Sequence, residues 1–111
     1  MMPSLSPADL PRDILATAVR FALEELAARV PGHSVEVRVP PFGAIQMIPG
    51  QRHTRGTPPA VVQTDPLTFL ALVTGHGNWS NGIERGFIKA SGQGADLSTY
   101  LPLDKLLDER G

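Results

Sequence analysis

Three histidines, at positions 33, 53 and 76, are the residues best suited to acid–base or metal chemistry. None has a second histidine or a cysteine two to four residues away, so no local zinc motif is present. Cysteine is absent altogether. That excludes disulfides, thiolate metal sites and cysteine nucleophiles. No Gly-x-Ser-x-Gly elbow occurs, so serine-hydrolase chemistry has no anchor. Gly92-Gln93-Gly94-Ala95 lacks the third glycine of a dinucleotide loop, and also the lysine and hydroxyl of a phosphate loop. The remaining polar cluster is Arg52-His53-Thr54-Arg55. Two arginines and a histidine between turns suit a phosphate or carboxylate. A solvated hairpin tip has the same composition and is the preferred reading, because loops are polar by default. No catalytic residue, metal or cofactor is expected.

Composition points the same way. Ten Lys and Arg stand against eleven Asp and Glu, for a net charge of −1, so a nucleic-acid surface is not expected. A length of 111 residues allows one domain, expected to span 1–111. The hydrophobic share of 41% is enough for a single core. Only six residues are aromatic: Phe21, Phe42, Phe69, Trp79, Phe87 and Tyr100. That core must therefore be mostly aliphatic. No apolar run approaches the roughly 20 residues of a membrane span, so no stable membrane insertion is expected. The first residues lack the basic start and apolar stretch of a signal peptide, so the expected location is cytoplasmic. Asn78-Trp79-Ser80 matches a glycosylation triplet, and we read it as chance.

The elements that must carry any site follow from local signals. Ser6-Pro7-Ala8-Asp9 resembles a capping box, with Asp9 as a second candidate cap. A helix is predicted from there to about Val30, stopped by Pro31-Gly32. Asp13, Thr17, Arg20 and Glu24 form its wet face. Leu10, Ile14, Leu15, Val19, Ala22, Leu23, Leu26 and Val30 form an apolar arc so wide that the helix must be flanked on one side as well as packed on a sheet. Arg20–Glu24 and Glu25–Arg29 stand at ion-pair spacing. Val35, Val37 and Val39 alternate with Glu36 and Arg38, the pattern of a half-buried strand. Gly43–Ile48 is a second strand, paired with the first as an antiparallel hairpin. Ala60–Gln63 is a short third strand. Asp65-Pro66 opens a second helix and Gly75 closes it. His76–Gly86 is a loop or one helical turn. Phe87–Ser91 is a fourth strand. Leu97, Leu101, Leu103, Leu106 and Leu107 form a tail broken by Pro102, suited to two short helical turns, the last over Asp104–Arg110.

The segment Asp65-Pro66-Leu67-Thr68-Phe69-Leu70-Ala71-Leu72-Val73-Thr74-Gly75 resembles the acid, helix and Phe-Leu-x-Leu stretch of the sterol carrier protein domain. Gly86-Phe87-Ile88-Lys89-Ala90-Ser91-Gly92 is similar to that family's Gly-Lys-x-Lys-x-x-Gly strand, and residues 97–107 resemble its Leu-rich close. The small actinobacterial-type relatives look nearest. Phe87 stands where the family has a lysine, and Gln93 where it has an acid. The resemblance implies an α/β (α+β) fold: an N-terminal helix on a mostly antiparallel twisted sheet of four to five strands, with further helices after strand three and at the C-terminus. It also implies non-enzymatic binding of a fatty-acyl or sterol-like ligand in an apolar cavity between sheet and C-terminal helices. The expected lining is Ile45, Met47, Phe69, Leu72, Trp79, Phe87, Leu101 and Leu106. Arg52, His53 and Arg55 are the expected anion or headgroup contacts. The alternative is an accessory or protein-interaction module, related to domains attached to thiol-dependent enzymes, with a protein partner and no lipid. A packed domain without a cavity uses the same leucines.

Overall fold

A computed structural model describes residues 9–50 and 60–103. The order is α1 (Arg12–Arg29), β1 (Val35–Val39), β2 (Gly43–Met47), β3 (Ala60–Thr64), α2 (Pro66–Thr74), α3 (Trp79–Glu84), β4 (Ile88–Ser91) and a 3₁₀ turn over Ser98–Tyr100. This is the α+β class expected: an N-terminal helix, a four-stranded sheet and further helices. The strand order is β2-β1-β3-β4. β1 pairs antiparallel with β2 and parallel with β3, and β3 pairs antiparallel with β4.

Register explains why one face is dry. Val35 pairs with Met47 and Ala60, Val37 with Ile45 and Val62, and Thr64 with Ile88. Side chains alternate across a sheet, so these residues share a face. Val35, Val37, Val39, Met47 and Val62 are almost completely buried there. Val19, Leu23, Leu26 and Phe69 from the two longer helices fill the opposite half of the core. The other sheet face carries Glu36, Arg38, Gln46, Gln63 and Lys89, with Glu36 and Arg38 ion-paired. Polar side chains leave that face to water, so the fold is two-layered.

Local chemistry sets the ends of the elements. The Asp65 carboxylate accepts from Thr68 N at 3.1 Å, and Pro66 occupies the first helical position. Gly75 ends α2 with φ of 84°. α1 departs from expectation: its N-cap is Pro11, without a side-chain cap, rather than Asp9. Proline tolerates this position because the first helical N–H groups have no intrahelical partner. Ile14, assigned to the apolar arc, is 50% exposed, whereas Asp13, Thr17, Arg20 and Glu24 are exposed as expected. β4 starts at Ile88, one residue later than the sequence pattern places it. The tail helix expected over Asp104–Arg110 lies outside the described residues.

The α1–β1 connection is pinned tightly. Ile48 N donates to Val30 O at 2.8 Å, and Ile48 O accepts from Ser34 N at 3.1 Å and Ser34 Oγ at 2.7 Å. Ile48 itself adopts φ of 70°, a rare conformation for a β-branched residue, and these bonds hold it there. Gly32 passes so close that a Cβ on it would stand 2.1 Å from Ile48 O.

Candidate functional site

The expected lining residues separate into three groups. Met47 and Phe69 sit inside the core, at 0% and 2% exposure, and Ile45 packs half-buried against it. Leu72, Trp79 and Leu101 come together around an open depression of about 310 Å³. Its rim also carries Asn78, Ser80 and Ser98, so it is not a purely apolar surface. Phe87 shares a neighbouring depression with Leu72, beside His76 and Arg85. Standing just ahead of β4, Phe87 is 54% exposed. Arg52, His53, Arg55 and Leu106 lie outside the described residues.

Among the described residues, an apolar concave surface also lies between α1 and α2. Ala18, Phe21 and Ala22 from α1 face Leu70 and Val73 from α2, and Leu103 borders the same groove of about 400 Å³. Sequence reasoning did not name these residues as a site. The signal was present, however. Ile14, Ala18, Phe21 and Glu25 follow one another at four-, three- and four-residue steps, so they form a stripe along α1. That stripe lies between the wet face and the core face, and the excess width of the apolar arc already called for a flank. α2 covers it only partly, leaving Phe21 at 61% exposure.

One end of the groove is polar. Glu25 and Arg29, one turn apart in α1, both line it. Glu25 Oε2 accepts from Arg29 Nε at 2.8 Å and lies 2.8 Å from Nη2. Arg29 Nη1 is buried and has no hydrogen-bond partner among the described residues. Its side chain is 11% exposed. A buried N–H without an acceptor is uncommon in folded proteins and marks a place where one is wanted.

The other polar residues are placed individually. His76 Nδ1 stands 3.0 Å from Thr74 Oγ1, and His33 Nδ1 is 2.8 Å from Gln46 Oε1 on the wet sheet face. Arg12 stacks over the Phe42 ring at 5.3 Å. Hydrogen bonds from Ser98 hold the Asp96 carboxyl below its ordinary value. Among the described residues, no three His, Asp or Glu side chains gather as a metal site. No helix among them is long and apolar enough to cross a membrane. The α1/α2 groove can therefore shelter an apolar chain, with the Glu25–Arg29 ion pair bordering it.

A comparison with curated proteins gave no match. A family model does match, over residues 11–103, which takes in both helices of the groove, the whole sheet and Leu103. With most of its length so accounted for, the chain belongs to the family described as bacterial SCP ortholog.

Proposed function

We propose that this protein binds a hydrophobic, lipid-like small molecule without chemically altering it. Membership of a sterol-carrier-like family supports the reading. The observation that carries it is the α1/α2 groove, where the exposed Phe21 and half-buried Leu103 stand over the buried edges of Leu70 and Val73. Its volume falls in the range of small-molecule pockets. Leu72, Trp79 and Leu101 are the second place for a ligand to rest, and the intrinsic tryptophan reports on it.

The test is titration with a fluorescent twelve-carbon amphiphile. Saturable binding with little change in Trp79 emission places the ligand in the α1/α2 groove. A large Trp79 change moves it to the Leu72–Leu101 depression. No saturable binding across a panel of lipids sinks the proposal. A second reading, a module for a protein partner, draws on one observation: Ile83 and Phe87 are 39% and 54% exposed. A stable partner lost on Phe87→Ser, together with no lipid binding, is the result that favours it.

A further inference from the structure

A depression of about 490 Å³ lies between α2 and α3 and shares no lining residue with the α1/α2 groove. Thr68, Ala71 and Gly75, at helical steps of three and four, form its α2 wall, which is therefore built of small residues. Asn81 and Arg85, one turn apart, form the α3 wall. α3 is held close to β4: a Cβ on Gly82 would stand 2.3 Å from Ile88 Cδ1, and Phe87 N donates to Gly82 O at 2.9 Å. Phe87 thereby borders the same depression, and it is 54% exposed.

The charges here are one-sided. Arg85 is exposed, and its side chain makes no ion pair or hydrogen bond among the described residues. The Asn81 side chain is equally unengaged among them; only its backbone is bonded, to Asn78 and Arg85. His76 lines the depression as well, and no Asp or Glu does. Of the acids at the ends of these helices, Asp65 accepts from Thr68 N, and Glu84 is not part of the lining. An anion entering the depression meets donors and no carboxylate in its walls. A planar guanidinium pairs with a carboxylate through two parallel N–H groups. An exposed aromatic ring beside it favours a second ring, stacked with an offset. From Thr68 to Gly75 the α2 wall runs about 10 Å, room for a ring and its carboxylate. We propose that this depression binds a small aromatic carboxylate, with the ring against Phe87 and the small residues of α2 and the anion on Arg85 and the Asn81 amide.

The experiment is calorimetric titration of the full chain at neutral pH with naphthoate, with its uncharged amide, and with inorganic phosphate. Naphthoate is expected to bind saturably and at least about fivefold better than the amide. Arg85→Gln should bring naphthoate down to the level of the amide, whereas Phe87→Ala should weaken both. Both side chains are exposed, so neither change should move Tm by more than a few degrees. The inference is independent of the carrier reading: the twelve-carbon amphiphile is expected to bind wild type and Arg85→Gln alike. No saturable naphthoate binding, equal affinity for acid and amide, or naphthoate binding unchanged in Arg85→Gln overturns it. Displacement of naphthoate by phosphate at comparable concentration marks a bare anion site and also overturns it. So does a protein partner that is lost on Phe87→Ala while naphthoate never binds.

Discussion

At the scale of single residues, the tightest constraint is Gly32. A methyl group there would meet the carbonyl of Ile48 at 2.1 Å, a backbone atom that cannot rotate away, and Gly32 itself has φ of 153°. Gly32→Ala is expected to destabilise by more than about 3 kcal/mol or to prevent folding, measured by urea denaturation. Asp96 is a softer case. Its carboxyl is held below the ordinary value by the side-chain and backbone hydrogen bonds of Ser98. A carboxyl with a lowered folded pKa stabilises above its unfolded value of about 4 and stops doing so as pH falls through the folded one. Asp96→Ala should therefore lower Tm at neutral pH, and the difference from wild type should shrink in acid. A difference that stays constant down to strongly acidic pH would show that the ionised carboxylate is not the source.

Among the elements, α2 is the most completely specified locally. Asp65 caps it, Pro66 starts it and Gly75 ends it, and all three were readable from residue type and position. Asp65→Ala should cost about 1 kcal/mol, the usual worth of an N-cap, with Asp65→Asn largely retaining it in thermal melts. The β1–β2 hairpin was equally legible, because alternation of Val with charge defines both the strand and its dry face. α1 shows where local signals compete. Two N-terminal positions, Ser6 and Asp9, looked like caps, and the helix begins at Arg12 after Pro11. The side chain of Asp9 matches a capping preference, but Pro11 cannot supply an interior N–H, so the helix starts after it.

At the scale of the whole molecule, the two layers leave one stripe of α1 half-covered. Phe21 shows the consequence: it is a large apolar side chain whose exposure costs the fold little to keep and little to remove. Phe21→Ser is expected to leave Tm within a few degrees of wild type. Covering the exposed part of Phe21 with a ligand is worth about 1–2 kcal/mol, so the same variant should bind a dodecyl chain roughly five- to thirty-fold more weakly. Equal affinity in wild type and variant would remove Phe21 from the site. Leu26→Ala gives the contrasting result for a core residue. Leu26 is 0% exposed between α1 and the sheet, and its truncation should cost about 2–5 kcal/mol.

Periodicity, caps and turn residues by themselves determined the order of α1, the four strands and α2, the dry face of β1, the limits of α2 and the absence of local metal or nucleophile motifs, whereas α3 stood in the sequence only as a loop or one helical turn. Each of those signals lies within a few residues of the structure it specifies. The placement of apolar side chains beyond that was decided in three dimensions. Met47 and Phe69 had the composition of cavity walls and became core; Leu70 and Val73 are core too, at 6% and 4% exposure, and only their outer edges border the groove. The apolar pattern is identical for both, because burial depends on which distant helix arrives to cover a side chain. The same holds for Glu25 and Arg29, whose four-residue spacing showed the ion pair. That the pair borders a groove and leaves one buried donor without an acceptor follows only from the docking of α2 beside α1.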